Sequence, residues 1–299
     1  MAYRRPTYRR TRPYTRRYAA RKTYSARRPR SIYRRTYRKR RPLMSKRRIL
    51  NITSEKKRDT MRVYTNVVTP RDDAGTTYDA KPAILEAFTG TSTTPNLYTF
   101  LWCATARVAI NSTDVCDRND PYTYMRGLKE RIEIPSSGAP WQWRRICFTK
   151  KGSFYPTTNS FRAYQFTSDG SVRVVNQITN GYLYGELLDG VVGKDSIDPF
   201  SAKLNNQLLD IKYDKTISIQ SGNDKGCLQV FKRWHPMNKT LLYQDEENGG
   251  DFNTAAYSTQ SRQGMGDYYV VDIIQSGGGA TKTDQLSFNP QATLYWHEK

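Results

Sequence analysis

The sequence has few of the residues from which catalytic sites are built. Of its 299 residues only two are histidines, His235 and His297, and it contains no G-x-S-x-G, H-E-x-x-H or P-loop pattern. His235 ends a strand pattern, where a structural role is more common than that of a general base. The glycine groups 264–266 and 277–279 are not followed by the helix that a phosphate-binding loop requires, so they predict turns. We therefore expect no enzymatic activity and no cofactor.

Paired cysteines and long apolar runs are also missing. Cys103, Cys116, Cys147 and Cys227 show no C-x-x-C spacing, so a zinc site is not indicated and reduced thiols are expected. No apolar run approaches the ~18 residues that a membrane span needs. The N-terminus also lacks the apolar stretch of a signal peptide. The sequence therefore predicts no membrane insertion.

Acidic residues do not occur in the first 48 positions, which hold 21 Lys and Arg. The other 28 basic residues are balanced by all 27 acidic ones in residues 49–299, which carry a net charge of about +1. A segment so charged and so poor in aliphatic side chains cannot bury enough apolar surface to offset the entropy of ordering. We therefore expect two parts: a disordered arm of residues 1–48 and a folded body of residues 49–299.

The arm alternates Arg-Arg pairs with Tyr, Thr and Pro. Flexible cations neutralise phosphates in a sequence-independent way, and Tyr rings and guanidinium planes stack on unpaired bases. A solubilising tail and a membrane-surface segment are the alternatives, although the arm lacks the Leu and Phe anchors of the latter. The predicted DNA-binding residues are Arg4, Arg5, Arg9, Arg10, Arg12, Arg16, Arg17, Arg21, Lys22, Arg27, Arg28, Arg30, Arg34, Arg35, Arg38, Tyr8, Tyr14, Tyr18, Tyr33 and Tyr37.

Three dense basic clusters are typical of nuclear-import signals. Nucleic-acid binding alone would explain the same residues, and one cluster can serve both purposes. The predicted import residues are Arg38, Lys39, Arg40, Arg41, Lys46, Arg47, Arg48, Lys56, Lys57 and Arg58.

The body is a succession of short runs rich in Val, Ile, Tyr, Phe and Thr, bounded by Gly, Pro, Asn or Asp. Helical spacing is weak, and the best short helix candidates are 82–88 and 203–209. About ten strands without intervening helices favour an antiparallel sandwich, jelly roll or barrel. The predicted strands are 61–68, 97–110, 128–134, 141–147, 161–167, 171–179, 208–219, 227–234, 239–243, 268–275 and 285–297.

One acidic group lies in the long connection 244–267. Asp245, Glu246, Glu247 and Asp251 surround Asn248-Gly249-Gly250. Oxygen ligands near a glycine turn could hold Ca²⁺ between subunits, but the spacing is not that of an EF-hand loop. An exposed acidic loop is the simpler interpretation, so no metal is expected and these four residues are only a weak candidate site.

Several segments resemble a known family. The chain opens Met1-Ala2-Tyr3-Arg4-Arg5, continues through the segment 45–61 (Ser45-Lys46-Arg47-Arg48-Ile49-Leu50-Asn51-Ile52-Thr53-Ser54, then Lys56-Lys57-Arg58-Asp59-Thr60-Met61), and later reads Arg233-Trp234-His235-Pro236-Met237. It resembles the coat proteins of gemycircularviruses and other genomoviruses, and more broadly those of circoviruses and geminiviruses. Glu55 interrupts a stretch expected to be uniformly basic.

The resemblance implies a single antiparallel jelly-roll sandwich, a small icosahedral homo-oligomer, an inward-facing arm and a single-stranded DNA genome. It also implies host nuclear import receptors as partners, and the virion and the host cell nucleus as locations. Sixty arms of +21 would supply about 1260 positive charges, enough for on the order of one to two thousand nucleotides. The alternative is a cellular nucleic-acid-binding protein of ribosomal type, whose globular part would also be expected to be basic.

Overall fold

The computed structural model describes residues 44–68, 77–89, 92–110, 113–154, 162–178, 182–222 and 225–299. The chain divides into Met1–Ser45 and a compact unit, Lys46–Lys299. Only Met44 and Ser45 of the first part are described, so the predicted disorder of the arm lies outside the described residues.

Strands dominate the described ranges, with two short helices, α1 (Lys46–Thr53) and α2 (Tyr182–Leu187). The strands are β1 (Glu55–Met61), β2 (Val63–Thr65), β3 (Ala83–Glu86), β4 (Leu97–Cys103), β5 (Tyr122–Ser136), β6 (Trp141–Lys150), β7 (Phe166–Thr167), β8 (Gly170–Ser171), β9 (Arg173–Val175), β10 (Asp210–Ile219), β11 (Cys227–Leu242), β12 (Glu246–Asn248), β13 (Asp251–Asn253), β14 (Asp267–Ser276) and β15 (Gln285–Glu298).

Nine of these strands form two antiparallel sheets. Sheet 1 has the order β1-β15-β5-β11, with β3 beside the start of β15, and sheet 2 has the order β10-β6-β14-β4. Apart from β3, the strands of the two sheets pair from the ends of the chain inward: β1 with β15, β4 with β14, β5 with β11, and β6 with β10. This pairing is that of a long hairpin rolled into two sheets. The predicted antiparallel jelly-roll sandwich is therefore confirmed.

The burial patterns of the two sheets differ because their surroundings differ. In sheet 1, β15 alternates buried and half-buried residues, as expected of a sheet with one face in the core. In sheet 2, β14 is buried at nearly every position. Its inner face packs against sheet 1, and its outer face against the connection between β6 and β10, including Leu183 and Leu187 of α2. The described body therefore has three layers, and the outer face of sheet 1 is not covered by the third.

Two local expectations, both of helices, were wrong. The segment 82–88, a helix candidate, contains β3, because Leu85 pairs across to Leu286 of β15. The segment 203–209 forms turns. The boundary expected between residues 48 and 49 stays a prediction, and the helix α1 spans it, beginning four residues after Pro42, the last of the arm's prolines. In the described ranges, no helix is long and apolar enough to cross a membrane.

Candidate nucleic-acid interface

All of the predicted DNA-binding residues and four of the ten import residues lie outside the described residues. These are the DNA-binding residues from Arg4 to Arg38 and the import cluster Arg38–Arg41. The import cluster Lys46–Arg48 forms the first turn of α1, where Lys46 and Arg48 are exposed. The arm thus joins the body through a short basic helix that leads directly into β1.

The third import cluster is not a continuous basic surface. It lies in β1, and the alternation of the strand turns Lys56 and Arg58 outward and Lys57 inward. The Lys57 ammonium is buried, donates a hydrogen bond to the carbonyl of Asp117 at 2.9 Å and lies 3.2 Å from the Glu298 carboxylate. Lys57 therefore has a structural role in the body, and its part in import stays a prediction.

The four residues of the acidic candidate site do not lie together in the structure. The Asp245 side chain is buried, and its carboxylate accepts two hydrogen bonds from the Arg118 guanidinium, at 2.6 and 3.0 Å. Glu246, Glu247 and Asp251 lie exposed in the hairpin of β12 and β13, where Glu247 points to the opposite face from Glu246. Within the described ranges, no group of three His, Cys, Asp or Glu side chains is placed to hold a metal ion. The weak calcium candidate is therefore not supported by the geometry.

A buried ionic cluster joins the two sheets. Arg145 donates to Asp272 at 2.7 and 2.8 Å and to Glu130 at 2.6 Å, and Arg173 donates to Asp272 at 2.9 Å. Burial raises the pKa of Glu130, but the charge of Arg145, a hydrogen bond from His235 and the charge of Arg173 outweigh it and hold this pKa at about 2. Each of these side chains is at most 5 % exposed. The cluster is therefore buried in the interior of the sandwich, where its charges compensate one another.

The outer face of sheet 1 collects cations from three strands. Among the described residues of β1, β15, β5 and β11, one carboxylate points outward on this face. It is that of Glu133, which forms an ion pair with Arg131. This surface, which we name the basic face, is formed around six basic side chains: Lys56, Arg58, Arg126, Lys129, Arg131 and Lys232.

Four aromatic rings lie between these cations. Trp234 of β11 and Tyr295 of β15 meet across β5, with ring centroids 5.8 Å apart. They can do so because the intervening residue is Gly127, where an added Cβ would lie 2.7 Å from the Trp234 ring. Tyr124 and His297 form a second pair, with centroids 6.1 Å apart. The basic face is therefore a mixed cationic and aromatic surface.

The basic face was not predicted as a site, although its residues were assigned to strands. The alternation in β5 and β11 indicates which side chains face outward, and these include Lys129, Arg131, Lys232 and Trp234. The missing information is strand order. Residues 56, 127, 234 and 295 become neighbours only through pairings that link the two ends of the body.

Comparisons with known proteins add little. No family model matches this chain, and no curated protein matches it. Among solved structures, the chain is matched to VP1 of the Trichodysplasia spinulosa-associated polyomavirus in complex with GM1 oligosaccharide. The two are 7 % identical, and the match covers 73 % of this chain and 75 % of that one, with a TM-score of 0.09. A score this low carries no argument about fold or function.

Proposed function

We propose that this protein is a viral capsid subunit that self-assembles into a small icosahedral shell and packages single-stranded DNA through its N-terminal arm. The observation that carries the proposal is a division of labour within one chain. A jelly-roll body with a net charge of about +1 follows 48 residues that carry 21 positive charges and no negative one.

The arm suits packaging because its charge is concentrated and its sequence is permissive. Each cation that neutralises a phosphate releases counterions, so binding is strong at low salt and nearly independent of sequence. Seven Tyr residues among the first 48 supply rings for unpaired bases. A fully extended chain of 48 residues would reach about 160 Å, so the arm could follow a genome well away from the shell wall.

The body suits a shell because it is near-neutral and its sandwich is self-sufficient. Its apolar core lies between the two sheets and beneath the third layer, so assembly would not have to complete the fold. Sixty copies form the smallest icosahedral shell, and sixty arms match a genome of on the order of one to two thousand nucleotides. No catalytic role is part of the proposal.

Nuclear delivery is the second element of the proposal. Two clusters remain for an import receptor, Arg38–Arg41 in the arm and Lys46–Arg48 at the start of α1. We leave Lys57 out of the proposed signal, because its ammonium is buried in the body. The proposed locations are therefore the virion and the host cell nucleus.

The test is electron microscopy combined with nuclease digestion. Expressed full-length protein should form closed particles of uniform size that protect single-stranded DNA. Deletion of residues 1–41 should leave a folded body that forms empty shells or pentamers without protecting DNA. A control arm with every Arg replaced by Lys keeps the charge and should retain most protection. Dispersed monomers of the full chain would instead favour the cellular nucleic-acid-binding alternative, and full protection by the truncated protein would contradict packaging by the arm.

A further inference from the structure

We propose that the basic face of sheet 1 is a second nucleic-acid site, on which unpaired bases stack against Trp234 and its aromatic neighbours while the surrounding cations hold phosphates. The inference rests on the proposed function and extends it, because it gives the folded body, and not only the arm, a direct contact with the packaged strand.

The first argument is the distribution of charge. Residues 49–299 are almost neutral in total, yet six cations share the outer face of sheet 1 with two carboxylates, Glu133 and, beside the start of β15, Glu86 of β3. Lys56, Arg58, Lys129 and Lys232 make no ion pair with any described carboxylate, so their charges are not compensated within the described body. Clustered like charges repel one another, and a polyanion relieves that repulsion.

The second argument is the exposure of a large ring. Trp234 is 50 % exposed, whereas Trp102, Trp141, Trp143 and Trp296 are each at most 1 % exposed. Lys129 lies opposite Trp234 in the neighbouring strand, and Lys232 lies two residues before it on the same face. A ring flanked by two cations is the arrangement that stacks a base and binds the phosphates on either side of it.

The aromatic pairs also repeat across the face. Lys56 of β1 lies opposite His297 of β15. The Arg126 guanidinium lies 5.9 Å from the centroid of the Tyr124 ring. Burial, then the charges of Arg126 and Lys56, lower the pKa of His297, so its ring is neutral at pH 7. Two aromatic pairs, each with its own cations, would support successive bases of one strand.

Covering Gly127 with aromatic rings also stabilises a sheet, since a glycine leaves a gap between its neighbours. That role explains the Trp234–Tyr295 contact, but it explains neither the exposed half of Trp234 nor the uncompensated lysines. A second copy of this chain is a poorer occupant than a nucleic acid, because the cores of protein interfaces are depleted in Lys. Exposed rings favour a single strand over a duplex, whose bases are already stacked.

The exposure of Trp234 provides the test in the full-length protein. The protein is freed of nucleic acid at high salt and titrated with oligothymidylate, while tryptophan emission is recorded and the anisotropy of a labelled oligonucleotide reports total binding. Emission should fall by roughly the share that one tryptophan in five contributes, and acrylamide should quench the complex less than the free protein. The variant Trp234→Phe should bind through the arm without the change in emission.

The cations are tested with a matched pair of variants. Lys129→Ala with Lys232→Ala should weaken binding and lower the slope of log K against log salt by roughly 1.4, about 0.7 for each lost phosphate contact. Lys194→Ala with Lys215→Ala removes the same charge from exposed positions away from the basic face, and should leave the binding of the oligonucleotide closer to that of the parent.

Three outcomes would overturn the inference. The first is saturation of binding with unchanged Trp234 emission and accessibility. The second is equal effects of the two lysine pairs. The third is loss of Trp234 accessibility when empty particles assemble without nucleic acid, because a neighbouring copy would then cover the basic face. In each of these three cases the proposed function still holds if the protein forms particles that protect DNA. If the protein forms no particles, the proposed function itself is contradicted.

Discussion

Arg145 of β6 and Asp272 of β14 form a two-pronged ion pair in the centre of the sandwich, with Nε–Oδ1 and Nη2–Oδ2 distances of 2.7 and 2.8 Å. The same guanidinium donates to Glu130 of β5 in the other sheet. The cluster therefore fixes how sheet 2 lies on sheet 1. A buried ion pair adds little net stability compared with apolar residues of similar volume. Removal of one partner, however, leaves an uncompensated charge in the interior of the protein.

Glu130→Gln should lower the free energy of unfolding by about 3–5 kcal/mol, because Arg145 and Arg173 would then share only Asp272. Urea denaturation of the purified protein measures this. The control is Glu133→Gln on the same strand, since the ion pair of Glu133 with Arg131 is partly exposed and its loss should cost less than about 1 kcal/mol. Equal losses for the two variants would show that the buried cluster does not hold the sheets together.

Strand positions were largely predictable from sequence, because β5, β14 and β15 carry apolar residues at strand spacing. In β6, Trp141 and Trp143 lie in the core between the sheets, whereas Ile146 lies in the cluster on the other face of the strand. All of β1 except Met61 was missed, because Glu55-Lys56-Lys57-Arg58 has no strand signature. It is a strand because β15, more than two hundred residues later, supplies its hydrogen-bonding partner.

Buried charges were the hardest feature to predict. Arg144 and Arg145 are adjacent and equally polar, yet each is buried with its own carboxylate, Asp214 for Arg144 and Asp272 for Arg145. Sequence alternation indicates that the two point in opposite directions, but it does not identify a partner that lies 70 or 127 residues away. The arm was the opposite case, because its interpretation needs only composition and no pairing.

Lys57→Ala should destabilise the body by about 3–5 kcal/mol, since it leaves the buried Glu298 carboxylate without its cation. Lys56→Ala is the matched control, because Lys56 immediately precedes Lys57 in β1 and is exposed. This variant should change the free energy of unfolding by less than about 0.5 kcal/mol. Chemical denaturation of both variants checks this. If Lys57→Ala is as stable as the parent, the ion pair between Lys57 and Glu298 does not stabilise the body.

Nuclear accumulation should depend on the two clusters that precede β1. In a fluorescent fusion of the full chain, alanine at Arg38–Arg41 together with Lys46–Arg48 should abolish accumulation in the nucleus of transfected cells. Alanine at Lys56 and Arg58, which keeps the buried Lys57 in place, should leave import close to that of the parent. Loss of import from the second variant alone would place the signal in β1 instead.

Asp267 should make stability fall as the pH rises. Burial raises its pKa to about 7, although hydrogen bonds from Ser258 at 2.6 and 2.8 Å and from Thr105 at 3.3 Å oppose the rise. The folded state keeps a proton that the unfolded chain releases near the ordinary pKa of 3.8 of an aspartate side chain. Between about pH 4 and 7 the native state therefore binds more protons, and its stability declines with rising pH.

Asp267→Asn removes this titration and keeps an acceptor for Ser258. The variant should gain on the order of 2–4 kcal/mol relative to the parent between pH 5 and pH 8, as measured by urea denaturation at both values. Asp169→Asn is the control, because Asp169 is exposed beside Arg62, and its difference from the parent should hardly change with pH. A difference between Asp267→Asn and the parent that is the same at both pH values would show that Asp267 is already ionised at pH 5.

Gly127→Ala and Gly185→Ala should shift stability in opposite directions. At Gly127, an added Cβ would lie 2.6 Å from the His235 carbonyl oxygen and 2.7 Å from the Trp234 ring. We expect a loss of about 1–3 kcal/mol, together with a changed Trp234 emission as the ring is displaced. At Gly185 in α2, nothing lies within 4 Å of the added Cβ, and alanine in a helix interior should stabilise by about 0.5–1 kcal/mol. Urea denaturation followed by tryptophan emission records both effects at once. A neutral Gly127→Ala with unchanged emission would mean that the Trp234 ring does not rest on this glycine, and the basic face would lose its central aromatic pair.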